Sequence, residues 1–334
     1  MRVLVTGGAG YIGAHMVKML LGYGADVVVF DNLSSGRRDA VLGGELVVGD
    51  INQPADLAGV FRGARIDAVM HFASLIQVGE SVQQPATYYR TNLGGTLNLL
   101  NAMRENDVQR FIFSSTAAIF GEPSYTPLDE AHPTAPINPY GFSKWAVERV
   151  LADCDRAHGL RSICLRYFNA AGADPDGELG ESHEPETHLI PLVLQAASGR
   201  RPSITVFGTD YPTPDGTCVR DYIHVVDLCQ AHLLALEKLT RDDRSNAFNL
   251  GNNRGFSVKD IIQVAERVTG RKIPVTVGAR RAGDPAVLVA DSAKAVEQLG
   301  WRPRYQDLET IVRHAWAWER KLAGAQIITK EFSQ

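Results

Sequence analysis

A glycine-rich turn close to the N-terminus constrains the fold more than any other feature of this sequence. The apolar run at 3–5 leads into Gly7, Gly10 and Gly13, after which apolar residues recur at helical spacing. In a strand–turn–helix unit these glycines permit a tight turn and close approach of the backbone to a pyrophosphate, which the N–H groups of the helix N-terminus then bind. The spacing therefore predicts the first strand and helix of a dinucleotide-binding fold.

An acidic residue at the end of the next apolar run supports this prediction. Residues 27–30 are apolar and end at Asp31, which follows Gly13 by 18 positions. An acid at about that distance meets the adenosine ribose and repels a 2′-phosphate, so it favours NAD over NADP. Arg37 and Arg38 leave the NADP alternative open, since nearby arginines could bind that phosphate.

Short apolar runs then alternate with helical patterns, which predicts an α/β fold with a Rossmann-type, doubly wound parallel sheet. The expected strands lie near 46–48, 68–70, 110–113 and 162–165, and the expected helices near 55–61, 85–106 and 139–157. A loop rich in Gly, Pro and acidic residues at 172–186 marks a composition boundary. We expect a dinucleotide-binding domain at 1–170, joined by part of 217–260, and a smaller mixed α/β substrate domain at 171–334.

The composition excludes several classes of protein. The net charge of −4 provides no general basic field for nucleic acid, and no apolar run reaches the length of about 18 residues that spans a membrane. The four cysteines form no Cys-x-x-Cys pair, so neither a zinc site nor a disulfide framework is expected. Reduced thiols favour the cytoplasm. His183 and His188, with glutamates between them, are expected to be solvated loop residues and not metal ligands.

A tyrosine and a lysine at helical spacing are the candidate acid–base pair. Pro139 precedes Tyr140, and Lys144 follows by four positions, so both side chains share one face of a helix that begins near Pro139. A tyrosine acting as a base near neutrality needs its pKa lowered by about 3 units, and one close positive charge supplies roughly that much. By itself, however, this spacing is also typical of an exposed Tyr/Lys pair on an ordinary helix.

Taken together, the motifs resemble the extended short-chain dehydrogenase/reductase family and, within it, the nucleotide-sugar 4-epimerases. The glycine turn and the Tyr/Lys pair are typical of the whole superfamily, whereas the segment 207–224 is much more specific. The resemblance covers nearly the whole chain, through residues 6–13, 31–33, 78–81, 111–115, 138–140, 166–169 and 207–224.

The resemblance implies NAD as cofactor, a UDP-hexose as substrate and interconversion of UDP-glucose and UDP-galactose through a 4-keto sugar. Tyr140 would be the acid–base residue, with Lys144 lowering its pKa and Thr116 contacting the 4-hydroxyl of the sugar. The implied cofactor contacts are Gly7, Gly10, Tyr11, Ile12, Gly13, Asp31, Asn32, Asp50, Ile51, Phe72, Ala73, Asn92, Ser114, Tyr140, Lys144 and Phe168. The implied substrate contacts are Thr116, Tyr140, Asn169, His188, Leu189, Val206, Phe207, Arg220, Tyr222, Arg281 and Asp284, and a homodimer through the helices near 85–106 and 139–157 is also implied.

Three positions bear on the exact activity. Ala117 and Ala118 follow Thr116 where a 4,6-dehydratase carries an acid and a base, which argues against elimination. Ile76 replaces a lysine that binds the pyrophosphate in some family members, so the tightness of NAD retention is open. Leu288 at the pocket wall favours plain hexoses, while an N-acetylhexosamine, uronate or pentose epimerase, or a non-catalytic sensor on the same fold, remains an alternative. Trp301, Trp316 and Trp318 are expected to pack the second domain.

Overall fold

The structure, a computed structural model, describes residues 1–63, 65–281 and 284–331. Its first half alternates strands and helices as the apolar pattern predicts, because each short apolar run is buried as a strand and each amphipathic run covers the sheet. The elements are β1 (Arg2–Thr6), α1 (Tyr11–Gly22), β2 (Asp26–Asp31), β3 (Glu45–Val48), α2 (Pro54–Gly63), β4 (Ala68–His71), α3 (Val78–Gln83), α4 (Pro85–Tyr88), α5 (Thr96–Glu105), β5 (Arg110–Thr116), α6 (Pro139–His158) and β6 (Arg161–Tyr167).

The second half contains shorter strands and longer helices. Its elements are β7 (Asn169–Ala171), α7 (Leu189–Ser198), β8 (Ile204–Phe207), β9 (Val219–His224), α8 (Val225–Asp242), β10 (Asn246–Leu250), β11 (Gly255–Ser257), α9 (Val258–Thr269), β12 (Val275–Gly278), β13 (Val287–Leu288), α10 (Ala293–Leu299) and α11 (Leu308–Glu331). None of the helices in the described ranges is long and apolar enough to span a membrane.

Seven parallel strands form the central sheet, in the order β10-β6-β5-β4-β1-β2-β3. Val3 pairs with Val27 of β2 on one side and with Ala68 of β4 on the other. The chain therefore reverses its direction of winding at β1, and a crevice opens there at the carboxyl ends of the strands. The Rossmann-type sheet predicted from the sequence is confirmed, and β10 from the second half of the chain forms one edge.

Two apolar layers cover the faces of this sheet. On one face α1, α8 and α10 bury Leu20, Leu236 and Phe248 against the strands. On the other face α2, α5 and α6 bury residues such as Leu99. Trp301 is 1% exposed and belongs to the first layer, where its Nε1 donates to the carbonyl of Asp227. The expectation that Trp301 packs the second domain is therefore wrong, because the chain returns to the large sheet after β13.

The smaller lobe is built around two short sheets. Strand β9 pairs with β11, β13 and β7, while β8 pairs with β12. Helices α7, α9 and α11 pack together over these strands and bury a separate apolar cluster that includes Val193, Ile261 and Ile311. This lobe is mixed α/β, as predicted.

The predicted helix at 85–106 is interrupted. Between α4 and α5 the chain forms a π-helical stretch at Tyr89–Gly95. Such wider turns are often found at functional sites. Here the stretch carries Asn92, whose amide reaches Leu75 and Ser143 across the cleft.

Candidate active site

The glycine turn lies where β1 ends, directly against the chain that leaves β4. Gly7 has a φ of +73°, and a Cβ atom there would lie 2.5 Å from the backbone nitrogen of Ala73. Phe72 and Ala73 donate their N–H groups to the carbonyl of Thr6 at 2.9 and 3.0 Å. Gly10 is the N-cap of α1, and Tyr11, Ile12 and Gly13 form its first turn. The glycines therefore hold two strand ends and one helix N-terminus close together, as anion binding requires.

Asp31 lies at the end of β2, as the sequence predicts, and its carboxylate stabilises the turn. Oδ2 accepts a hydrogen bond from the backbone of Ala9 at 2.9 Å, and Oδ1 accepts one from Leu33 at 2.8 Å. Asp31 is 7% exposed, and each of its carboxylate oxygens can accept a further hydrogen bond. Asn32 donates to Asp50 at 3.3 Å, which brings two further predicted cofactor residues together.

Arg37, which leaves an NADP alternative open at the sequence level, has protein partners. Its guanidinium pairs with the carboxylate of Asp39 and also donates to Ser182 at 3.3 Å. An arginine already paired with a carboxylate is a weaker ligand for a 2′-phosphate. The geometry therefore agrees with the preference for NAD that Asp31 suggests.

Helix α6 presents Tyr140 beside the end of β5. Asn138 caps the helix by accepting a hydrogen bond from Gly141, and Pro139 occupies the first turn, so the predicted start is confirmed. A Cβ atom at Gly141 would lie 2.4 Å from the carbonyl oxygen of Ala118. Only glycine permits this approach, which brings the phenol of Tyr140 to the Thr116 hydroxyl.

Lys144 is buried one turn further along α6, at 4% exposure. Its ammonium donates to the carbonyl of Ser114 at 3.0 Å and lies 4.9 Å from the centre of the Phe113 ring. Burial lowers the pKa of Lys144 to about 7, because water no longer solvates the charge. A lysine that titrates near neutrality can exchange a proton with its surroundings at little cost.

The pKa of Tyr140 is governed by burial and by Thr116. Desolvation of the phenol raises its pKa above the ordinary value, and the hydrogen bond with Thr116 opposes that rise. Lys144 faces the end of β5, and among the protein's own groups it is Thr116 that lowers the phenol's pKa. The lowering of the Tyr140 pKa by Lys144, implied by the family resemblance, stays a prediction.

A buried ion pair that was not predicted supports this helix from behind. Glu148 accepts hydrogen bonds from Ser115 at 2.6 Å and from Arg166 at 2.6 and 3.0 Å. It therefore ties α6 to both β5 and β6, one turn beyond Lys144. The i+4 spacing from Lys144 to Glu148 was visible in the sequence, but the partner Arg166 lies on another strand and no local pattern indicates it.

Asn92 connects the segment after β4 to helix α6. Its Oδ1 accepts from the backbone of Leu75, and its Nδ2 donates to the carbonyl of Leu75 at 3.0 Å and to Ser143 at 3.1 Å. These bonds fix the chain after β4 to α6. The adjacent Ile76 is 38% exposed. Ile51 is buried against Gly95 at the start of α5.

The predicted nucleotide-binding residues form two pairs on the smaller lobe. Arg220 of β9 pairs with Asp284, and Arg281 stacks 4.0 Å above the ring of Phe207, beside the buried Val206. Asn169 of β7 donates to the carbonyl of Asp221, next to Arg220 on β9, at 2.8 Å. In the pairing of β7 with β9, Asn169 lies opposite Tyr222, which is buried. His188 and Leu189 stand at the start of α7.

A small apolar cluster joins the two lobes at the cleft. Leu288 of β13 and Phe168, after β6, pack with Phe120 and with Trp145 of α6. The predicted pocket-wall residue Leu288 therefore contacts the same cluster as the helix that carries Tyr140. Substrate-lobe and cofactor-lobe residues meet at this point.

The arrangement fits a bound dinucleotide. The backbone at Gly7 packs directly against Ala73, α1 begins after Gly10 of the same turn, and a buried carboxylate lies at the end of β2. Tyr140, Lys144 and Thr116 lie at the carboxyl end of β5, two strands along the same crevice.

Comparison with known proteins agrees with this geometry. Residues 3–251 match the model of the NAD dependent epimerase/dehydratase family. The chain belongs to this family. One family relative, UDP-glucose 4-epimerase of Halalkalibacterium halodurans, is 53% identical over 321 residues, which are 96% of either chain.

Two solved structures of family members superpose closely on the chain. The UDP-glucose 4-epimerase from Brucella ovis in complex with NAD has a TM-score of 0.92 at 53% identity, covering 94% of this chain and 97% of that chain. The enzyme from Bifidobacterium longum in complex with NAD+ and UDP has a TM-score of 0.91 at 38% identity, covering 96% and 98%. The family resemblance inferred from the sequence is therefore confirmed.

Proposed function

We propose that the protein interconverts UDP-glucose and UDP-galactose, with NAD as its cofactor, by oxidising and then reducing C4 of the hexose. The observation that carries this proposal is the convergence of Tyr140, Lys144 and Thr116 at the end of β5, in the same crevice as the glycine turn. Membership of the family and about 50% identity to UDP-glucose 4-epimerases over nearly the full chain support it.

In the proposed reaction Tyr140 removes the proton of the 4-hydroxyl, while Thr116 hydrogen-bonds the same oxygen. NAD, when bound, would supply the acceptor for the C4 hydride and the donor that returns it to the opposite face of the 4-keto sugar. Lys144, with a pKa of about 7, supplies positive charge beside the phenolate when protonated. Tyr140 then returns the proton to the new 4-hydroxyl, so the enzyme ends in its starting state.

The nucleotide must stay bound while the sugar turns over. Arg220 and Arg281 would bind the diphosphate, because the arginine fork donates parallel hydrogen bonds to phosphate oxygens. Arg220 contacts Asp284 through Nη2 alone, whereas Arg37 gives both Nε and Nη2 to Asp39. In the structure Arg281 covers Phe207, which suits stacking of an aromatic base nearby. Binding energy from UDP leaves the hexose free to rotate. Dehydration is disfavoured because Ala117 and Ala118 have no proton to transfer.

Replacement of Tyr140 by Phe tests the proposal. We expect Y140F to lose conversion of UDP-galactose to UDP-glucose by at least 100-fold while retaining UDP binding, since only the proton-transferring hydroxyl is removed. Y125F is the matched control, because Tyr125 is 43% exposed and its hydroxyl donates to Asp129. Full activity in Y140F would exclude the assigned role. Turnover without added NAD distinguishes an epimerase from a net dehydrogenase.

Leu288 sets the expected substrate range. A leucine at the wall formed with Phe120 and Phe168 leaves space for a plain hexose, and we expect L288C to accept UDP-N-acetylgalactosamine better than the parent does. Side-by-side turnover of UDP-galactose, its N-acetyl form, UDP-galacturonate and UDP-arabinose tests the alternative substrates. Absence of all turnover by a protein that binds NAD would favour a non-catalytic sensor.

We further propose a homodimer in the cytoplasm. Leu97 of α5 and Phe142 of α6 are 40% and 42% exposed, and a cavity of about 190 Å³ lies between these two helices. Two such helix pairs would bury these side chains in a four-helix interface. L97E should halve the mass measured by light scattering, whereas V277E, on an equally apolar exposed site of β12, should leave it unchanged. The four free cysteines suit a reducing compartment.

A further inference from the structure

Four side chains of the loop between β7 and α7 form a compact cluster. Glu181 is buried, with its side chain 4% exposed, and its Oε1 is hydrogen-bonded to Nδ1 of His188. Nδ1 of His183 lies 3.0 Å from the same oxygen, and Glu186 accepts from the backbone of His188 at 2.9 Å. The expectation of solvated side chains is wrong for His183, which is 19% exposed beside the buried Glu181, whereas the side chain of His188 is 43% exposed.

Glu181 is itself held in place by a neighbouring helix. Its carbonyl accepts a hydrogen bond from Nε1 of Trp318 at 2.9 Å, and a Cβ at Gly180 would lie 2.2 Å from that indole ring. The start of the loop is fixed to α1, where Lys18 donates to Asp174 at 2.8 Å. The carboxylate is therefore rigidly placed between α1 and α11.

The charges of the cluster are arranged around His188. Burial opposes its ionisation, but Glu181 and Glu186 raise the pKa of His188 to about 9. Burial likewise raises the pKa of Glu181, but His188 and His183 lower it to about 2. The other groups that face the cluster are Tyr11 and His15 of α1 and Arg200, which follows α7.

The hydrogen bond to Glu181 also determines which atom of His188 faces outward. Nδ1 is occupied by the carboxylate, so Nε2 is the donor that remains for a ligand. The side chain is 43% exposed and stands at the N-cap of α7, next to Leu189 in the substrate lobe. Leu189 packs against the apolar cluster of the substrate lobe that includes Val206 and Tyr222, two residues assigned to the nucleotide under the proposed function.

We propose that Glu181 is a positioning residue that orients His188, so that the Nε2–H of His188 donates to a diphosphate oxygen of the UDP-sugar. This inference rests on the proposed function, since it names a further group at the same nucleotide site. Glu181 does not touch the substrate; it acts through the imidazole. His188 thereby adds a third cation to Arg220 and Arg281.

The test is the pH dependence of kcat and KM for UDP-galactose, whose doubly esterified diphosphate does not titrate near neutrality. The wild-type KM should be nearly constant from about pH 6 to pH 8, because His188 stays protonated throughout. In E181Q its pKa falls back toward about 6.5. The ratio of the E181Q KM to the wild-type KM should therefore rise about tenfold over this range, because the loss of one charged hydrogen bond to the diphosphate weakens binding by about that factor. The value of kcat should change little.

H188N provides the second variant, because an asparagine needs no proton to donate. H188N should show a KM that does not depend on pH between these limits, and E181Q/H188N should show no further pH dependence. E319Q is the matched control, since Glu319 is equally buried and pairs with Arg200 without contacting His188. It should leave the pH dependence of KM unchanged even if stability falls.

Failure of the role assigned to Glu181 and failure of the proposed function give different results. A flat KM ratio in a folded E181Q with wild-type thermal stability overturns the inference while leaving the proposed function intact. A loss of kcat with unchanged KM also overturns it, because the diphosphate contact would then not depend on Glu181. If E181Q does not fold, the ratio of the wild-type KM to the H188N KM decides the same question: it should rise above about pH 9 as His188 loses its proton, and a constant ratio up to about pH 10 overturns the inference. Absence of UDP-galactose turnover by the wild-type protein contradicts the proposed function instead.

Discussion

Replacement of Glu148 by Ala is expected to destabilise the protein and to disturb the active site from behind. The side chains of Glu148 and Arg166 are 8% and 12% exposed, so this is a buried ion pair. Glu148 also accepts from Ser115 at 2.6 Å. Removing the carboxylate leaves the guanidinium of Arg166 buried without a counter-charge.

The magnitude follows from that burial. Breaking a buried ion pair by removing one partner costs about 3–5 kcal/mol, mostly from the charge that remains. With an entropy of unfolding of about 2 cal/mol/K per residue and 334 residues, a loss of about 4 kcal/mol lowers the unfolding midpoint by about 6 °C. The double variant E148L/R166M should recover most of this loss, because no charge is then stranded.

Thermal and urea unfolding measure the effect, and D242A is the control. Asp242 pairs with Lys238 at the protein surface, so its loss should leave the midpoint unchanged. In E148A the kcat for UDP-galactose should also fall, because α6 loses its attachment to β5 one turn beyond Lys144. An E148A protein as stable as the wild type, or a double variant less stable than E148A, would refute the reasoning.

Three other substitutions test the site. Burial holds the pKa of Lys144 near 7, against about 10.5 in the unfolded chain. Below pH 7 the folded NAD-free protein therefore buries a charged lysine, and between pH 7 and 10.5 folding releases its proton, so the destabilisation is largest at and below pH 7 and falls as the pH rises toward 10.5. Urea unfolding should show K144M to be inactive yet more stable than wild type at pH 7, with the gain shrinking by about 3 kcal/mol at pH 10. G7A should purify with little NAD, as measured by the absorbance and fluorescence of the released cofactor, because its Cβ meets the Ala73 backbone. T116V should lower kcat about 100-fold and shift the rising, acidic limb of the pH profile to higher pH, because Thr116 lowers the pKa of Tyr140, the proposed base; an unshifted profile would contradict that role.

Much of the fold could be predicted because its signals are local. One βαβ unit contains the β1 run, the glycines at 7, 10 and 13, and Asp31. Within such a unit the regular geometry of strands and helices relates the spacing of residues in the sequence to their positions in the structure. The start of α6 at Pro139 follows from capping and from proline chemistry, which also act over a few residues. The Rossmann-type sheet and the Tyr140/Lys144 helix therefore come from the sequence alone.

What the sequence left open depends on contacts between distant residues. The i+4 spacing placed Lys144 on the face of Tyr140, but packing against β5 turned its ammonium to the carbonyl of Ser114. Trp301 returns to the large sheet, and Glu148 meets Arg166, because the topology brings remote segments together. The same holds for Glu181, whose carbonyl binds Trp318 of the distant helix α11 and whose buried carboxylate contacts His183 and His188. Periodicity records which face of an element is apolar; only tertiary packing decides which partner that face, or a buried charge, will meet.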